Sequence, residues 1–258
     1  MKKIIFFLII FFTSMKTHSE IVTKDIEYND GNTVLQGYLA YDNSNENLRP
    51  GILIIHQWRG ISDYEKMRAK QLAGEGYVAF AADIYGKDIR PSNTEEAGKE
   101  AGKYYGDLNL YRQRLITGLE ELKKQKYVDA GKTAVIGYCF GGSGALELAR
   151  SGADIKGAVS FHGGLKTANT EDAKKIKCRI LVQHGAVDPF VPDEDVSNFK
   201  KEMENAGVDY VLTEYAGAVH SFTLASAGSD TSKGSAYNEK ADKRSWRAML
   251  EFFGEIFG

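Results

Sequence analysis

Among 258 residues there are only two cysteines, four prolines and two tryptophans, and neither charge sign dominates: 33 Lys and Arg stand against 35 Asp and Glu. Each scarcity excludes something. No Cys or His pair has the spacing of a zinc site, so no metal is expected, and no other cofactor either. The two cysteines, Cys139 and Cys178, could in principle pair. One lies in a sharp turn and the other opens a separate strand, so both are read as free thiols. The small negative balance argues against a nucleic-acid or anionic-membrane partner. No repeat, low-complexity tract or inter-domain linker interrupts the chain, and the longest apolar run, Ile4 to Phe12, is too short to span a bilayer. What remains is a chain that is 43% hydrophobic and 26% charged, the make-up of a globular protein with one core.

That apolar run belongs to a segment of its own. Lys2 and Lys3, then Ile4 to Phe12, then polar Thr13 to Ser19 follow the n-, h- and c-region pattern of a secretory leader, with cleavage expected ahead of Glu20. Removing residues 1–19 takes three lysines and no acids, which leaves 30 basic against 35 acidic side chains. No cysteine lies there to accept a lipid. The expectation is therefore an exported protein, periplasmic or secreted, with no membrane anchor once the leader is gone, and its domain spans residues 20–258.

Beyond the leader, apolar runs alternate with amphipathic ones. Val22 to Tyr28 and Val34 to Tyr41, separated by Asn29-Asp30-Gly31-Asn32, predict a hairpin at a sheet edge. Gly51 to His56, Tyr77 to Asp83, Lys132 to Ile136, Ile155 to His162, Arg179 to His184 and Tyr210 to Tyr215 predict further strands. The apolar ones among them carry no polar face, as in a sheet covered on both sides. Helices are predicted between them. Ser62 and Glu65 form a capping box for one that runs to about Glu75. Leu108, Tyr111, Leu115, Leu119 and Leu122 share a face of a second, over Asp107 to Lys124. Further helices are expected at about Asn169 to Lys175 and Asp193 to Ala206, and a last one places Trp246, Met249, Leu250, Phe253 and Phe257 on one side. Thr94 to Tyr105 predicts a helix without a strong apolar stripe, which fits a cap over a site and a solvated surface helix equally. Alternation of this kind means a doubly wound, mostly parallel α/β sheet with helices on both faces, in a single domain.

The chemistry gathers at Gly137-Tyr138-Cys139-Phe140-Gly141-Gly142. A strand precedes it and a helix from Ser143 to Arg150 follows, the context of a G-x-S-x-G nucleophile elbow with Cys in place of Ser. Glycine at 137 and 141 would let strand and helix approach closely. The thiol would then stand at a helix N-terminus, where unpaired N–H groups favour thiolate. By itself the turn fits a buried, inert cysteine equally well.

A thiol nucleophile needs a base, and the base an orienting acid, in the chain order nucleophile, acid, His. Asp188 follows one predicted strand and His220 the next, both at strand carboxyl ends where an open α/β sheet carries its site. His162 and His184 precede Asp188, and His56 precedes the turn expected to help build an oxyanion hole. All three are read as packing or turn residues.

These stretches, together with His56-Gln57-Trp58-Arg59-Gly60, Glu75 to Ala79, Ala82 to Gly86 and His220-Ser221-Phe222, resemble the dienelactone hydrolase family over nearly the whole mature chain. The resemblance implies an α/β-hydrolase fold and a Cys-His-Asp triad of Cys139, His220 and Asp188. It implies an oxyanion hole from the Trp58 and Phe140 N–H groups, with Gln57, Arg59, Tyr85, Tyr138 and Phe222 lining the pocket or standing behind it. The partner it implies is a small ester or lactone, and a monomer is expected. Two departures stand out. Gln57 replaces a Glu often found there, so His220 is the one evident base. Thr223 and Leu224 occupy the place where the name-giving members carry an Arg that holds a substrate carboxylate. Arg59, Arg90 and Arg112 are the candidates to replace it.

Overall fold

A computed structural model describes residues 20–258; the expected leader, residues 1–19, lies outside the described residues. Strands β1 (Ile21–Asp30) and β2 (Thr33–Asp42) form an antiparallel hairpin, in which β1 is largely exposed and β2 buries Leu35 and Leu39 on one face and Tyr38 and Ala40 on the other. β3 (Arg49–Ile55), β4 (Val78–Ala82), β5 (Val128–Tyr138), β6 (Gly157–Phe161), β7 (Arg179–Gly185) and β8 (Tyr210–Tyr215) complete an eight-stranded sheet in the order β1-β2-β4-β3-β5-β6-β7-β8. Every pairing from β4 to β8 is parallel. The hairpin is at the edge, as its mixed polarity predicts.

Period-two alternation sends successive side chains of the central strands to opposite faces. Leu53, Ile55, Phe80 and Val135 point to one core, which is covered by α3 (Leu108–Lys123), α4 (Phe140–Arg150) and α5 (Asp193–Ala206). Ile52, Ile54, Ala79 and Ile136 point to the other, under α1 (Asp63–Gly74) and α6 (Glu239–Phe257). The capping box at the start of α1 is present: Ser62 Oγ accepts from the Tyr64 N–H, and Glu65 reaches back to the Ser62 N–H at 2.8 Å. Of the predicted face of α6, Met249, Phe253 and Phe257 are buried, while Trp246 and Leu250 pack at its margin.

Two local expectations change. Residues Thr170–Lys175 form a short 3-10 turn in place of an α-helix. Six residues give too few i→i+4 bonds to sustain one, and the turn is held by Asn169 as cap and by ion pairs from Asp172 to Arg112 and Lys175. β5 begins at Val128, four residues before the predicted start at Lys132, because a register shift lets Asp129 pair with Pro50 and Thr133 with Gly51. The extra residues between them, Ala130, Gly131 and Lys132, are exposed, so nothing in the hydrophobic pattern announces that strand.

Candidate active site

All parallel strands end at one edge of the sheet, and the predicted site residues meet there. β5 passes through Tyr138 into Cys139, the N-cap of α4, at φ 56 and ψ −116. A side chain in this region is strained, and here the surroundings impose it. The Cys139 N–H is held by the Phe161 carbonyl at 3.0 Å, while the Cys139 carbonyl accepts from Gly142 at 2.9 Å and Ser143 at 3.2 Å. The flanking glycines are required by contact. A Cβ on Gly137 would lie 1.8 Å from the Gly141 carbonyl oxygen, and one on Gly141 would lie 2.1 Å from that of Ile55. The thiol is partly exposed. Cys178, in contrast, is buried, and that burial pushes its thiol up to about 12.

His220 and Asp188 come from the loops after β8 and β7. The His220 backbone is tied on both sides, donating to the Gly234 carbonyl at 3.1 Å and accepting from Ala236 at 3.0 Å. His220 Nδ1 lies 2.8 Å from Asp188 Oδ2, and Asp188 Oδ1 accepts from the Phe190 N–H at 2.9 Å. The other hydrogen-bond partner of the His220 ring is the Cys139 side chain. Burial works against charge on this ring. The charge on Cys139, the bond to Asp188 and the bond to Cys139 outweigh it and push His220 up to about 10. The arrangement is that of an imidazolium held by a carboxylate on the side of the ring away from Cys139.

The turn after β3 packs on the start of α4 through the Ile55 and His56 carbonyl oxygens, which crowd Gly141, and Trp58 follows in that turn. Neither the Trp58 N–H nor the Phe140 N–H has an acceptor among the described residues. His56, buried at the root of this turn, accepts from the Ile84 N–H through Nε2 at 3.2 Å and therefore donates through Nδ1 to the Gln57 carbonyl at 2.6 Å. Burial lowers its pKa below the ordinary value, which keeps it neutral in that role. Tyr85 donates to the Trp58 carbonyl at 3.0 Å, and Glu65 accepts from the Gln57 N–H at 3.2 Å. This turn is thus pinned at three consecutive residues.

Each remaining predicted residue has a definite place. Gln57 and exposed Arg59 line a cleft of about 580 Å³ together with Trp58, Tyr64, Ser221 and Leu224. Tyr138 is fully buried, stacked on Phe161 at 4.8 Å, and Phe222 is fully buried beside His162 at 5.2 Å. Both stand behind the cleft. The three arginines have other commitments: Arg59 binds the Ser92 carbonyl and the Thr94 hydroxyl, Arg90 pairs with Asp83, and Arg112 pairs with Glu147 and Asp172. Thr223 turns inward, accepting from Tyr64 at 2.6 Å and meeting His162 at 2.8 Å.

The segment left open by the sequence is a packed wall. α2 (Thr94–Gly106) buries Ala97, Glu100, Ala101 and Tyr104. Its small alanines make the inward face that a search for large apolar residues overlooks. Tyr104 and Tyr105 both reach Phe140, with ring centroids 6.0 Å and 5.4 Å away, and Tyr111 stacks on Phe140 at 4.7 Å while donating to its carbonyl at 2.7 Å. Tyr105 also lines a second cleft, of about 380 Å³, with Leu108, Tyr111 and Ser143. Sequence reasoning missed Tyr105, and it missed Phe190, which stands exposed with its ring edge-on to His220 at 5.4 Å. Phe190 lies two residues after Asp188, a proximity that offered a signal.

With this geometry in place, comparison with known proteins is decisive. The model of the Dienelactone hydrolase family matches residues 35–257. The chain belongs to that family. It is a hydrolase of the class that acts on lactone and ester bonds, on an α/β-hydrolase fold. A solved structure named m3DLH is 38% identical, superposes with a TM-score of 0.89, and covers 92% of this chain and 99% of its own. A dienelactone hydrolase-like promiscuous phosphotriesterase from metagenomic libraries is 39% identical, with a TM-score of 0.87 and the same coverage. Protein usf of Aquifex pyrophilus is 27% identical over 235 residues, 89% of this chain and 97% of its own length.

Proposed function

We propose that this dienelactone hydrolase family member cleaves neutral esters and lactones through an acyl-enzyme on Cys139. The observation that carries the reading is the His220 ring, bonded to Asp188 at 2.8 Å on one side and to Cys139 on the other. The Cys139 thiolate attacks the carbonyl carbon, and the negative charge moves to the carbonyl oxygen between the Trp58 and Phe140 N–H groups. As the tetrahedral intermediate collapses, the C–O bond to the alcohol breaks and the His220 imidazolium protonates the departing oxygen. His220, now neutral, takes a proton from water as the water attacks the thioester. Collapse releases the acid and restores the thiolate and imidazolium. Asp188 holds the ring throughout.

Preference for neutral substrates follows from the charged side chains. Arg90 and Arg112 are bound to carboxylates and Arg59 is held at the cleft rim, which argues for a broad carboxylesterase or thioesterase rather than a lactonase specific for anions. The test is steady-state hydrolysis of p-nitrophenyl acetate, a neutral lactone and an anionic lactone under reducing conditions, with Cys139→Ala as control. Turnover that depends on Cys139 and favours the neutral substrates is expected. Full activity in folded Cys139→Ala would overturn the nucleophile, and a strong preference for the anionic lactone would overturn the substrate class. The same reading takes the enzyme to be an exported monomer. N-terminal sequencing of protein recovered outside the cytoplasm is expected to begin near Glu20, and sedimentation to give a single chain mass.

A further inference from the structure

His162 follows β6 with its ring wholly buried and its backbone at φ 39, where a side chain is disfavoured. Its N–H donates to the Gln183 carbonyl at 2.9 Å. The ring stands edge-to-face with His220, centroids 5.2 Å apart, and is enclosed by Phe222 at 5.2 Å and Tyr138 at 6.1 Å. Nε2 meets Thr223 Oγ1 at 2.8 Å, while buried Nδ1 has no hydrogen-bond partner among the described residues. Strained backbone and an orphaned polar atom in one residue are costs that persist where function requires them.

The proton on this ring is set by a chain of donors. A guanidinium has donors only. Arg68 Nε lies 3.2 Å from Tyr64 Oη, so Tyr64 accepts there and donates its own proton to Thr223 Oγ1 at 2.6 Å. The Thr223 hydroxyl has no acceptor among the described residues other than His162 Nε2, so its proton goes there and the ring proton sits on Nδ1. Arg68 itself is anchored by Asp242 and by the Thr223 carbonyl at 3.3 Å. We propose that His162 is a positioning residue for His220: a neutral imidazole, held in its Nδ1–H tautomer by Arg68, Tyr64 and Thr223, against which the His220 imidazolium is seated toward Cys139. This rests on the hydrolase reading above. The groups facing His162 are His220, His184 and Arg68, with Tyr138 and Tyr64 behind them and Asp242 across Arg68. Burial, the charge on His220 and the charge on Arg68 all lower its pKa, and His184 adds to them. A neutral ring offers the imidazolium a polarisable face, whereas a protonated one would set two cations 5.2 Å apart.

Imidazole 1H–15N spectra of the wild-type protein are expected to show His162 as the Nδ1–H tautomer across the working pH range. The Nε2–H tautomer, or an imidazolium at neutral pH, overturns the inference. Thr223→Val removes the hydroxyl at nearly constant volume and leaves Cys139, Asp188 and His220 in place. For p-nitrophenyl acetate it is expected to lower kcat roughly tenfold with KM little changed. It should also move the basic limb of kcat/KM down by about one pH unit, because a His162 that takes up a proton more readily weakens the hold of His220 on its own. Thr223→Ser, which keeps the donor, restores both. Wild-type kcat and an unmoved limb in Thr223→Val overturn the inference while Cys139-dependent turnover leaves the hydrolase reading intact. Loss of that turnover in the wild type would instead sink the hydrolase reading, and with it the role given to His162. If Thr223→Val does not fold, Tyr64→Phe breaks the same chain one link earlier and is expected to shift kcat and the basic limb in the same direction by less; no shift overturns the inference.

Discussion

Asp188 Oδ2 lies 2.8 Å from His220 Nδ1, and the Asp188 side chain is 0% exposed. With no water to compensate, the carboxylate sets both the tilt of the ring and the nitrogen that carries its proton. Asp188→Asn keeps the shape, but its amide can present an N–H to Nδ1 and reverse the tautomer. The expected loss is about 10³-fold or more in kcat with a small change in KM. Steady-state kinetics on p-nitrophenyl acetate reads it, and a loss below tenfold would remove Asp188 from its assigned role.

Stability should fall as pH rises above neutrality, and part of that fall should depend on Cys139. The folded value of His220 is raised from 6.5 to about 10, so its contribution is fully present below 6.5 and is lost as pH rises through about 10. Charge on Cys139 is the largest influence raising it. Urea midpoints measured between neutral pH and pH about 10 are expected to drop further in the wild type than in Cys139→Ala. Parallel curves would contradict the ion pair.

Gly141→Ala puts a methyl group 2.1 Å from the Ile55 carbonyl oxygen and 2.7 Å from that of His56. Both neighbours are backbone atoms at the end of β3, so relief requires α4 to move away from the sheet. The expected cost is about 3 kcal/mol or more. The folded fraction should also lose turnover, since the movement carries the Phe140 N–H with it. Chemical denaturation alongside activity per folded molecule separates the two effects.

In the last turn of α4, Arg150 is 1% exposed and bonds Glu202 through Nε at 2.8 Å and Nη2 at 2.7 Å, with Glu147 at 2.9 Å on Nη1. Glu202→Ala leaves Nε without an acceptor in the core, while Nη2 keeps the Leu165 carbonyl at 3.2 Å and Nη1 keeps Glu147, and is expected to cost about 3 kcal/mol. Replacing Arg150 with Met and Glu202 with Leu together should recover most of the loss, because Glu147 keeps Arg112 as its partner at 2.7 Å. A double variant no more stable than Glu202→Ala would show that the pair itself contributes stability.

The alternation of apolar strands and amphipathic helices was enough to give the layers and the edge hairpin, because side-chain period and strand-end position are local properties of the chain. Cys139, Asp188 and His220 were legible for the same reason: each follows a strand that the pattern marks. Roles that depend on which faces meet were settled only by packing. The inward face of α2 rests on Ala97 and Ala101, whose size gives no periodic signal, and the start of β5 rests on a register shift among exposed residues. His162 and Thr223 are separated by 61 residues and become partners only when β6 and the loop after β8 are brought side by side. Hydrophobic pattern records which way a residue faces; the hydrogen-bond chain from Arg68 to His162 depends on distances between elements far apart in sequence, and these exist only once the sheet has closed its two cores.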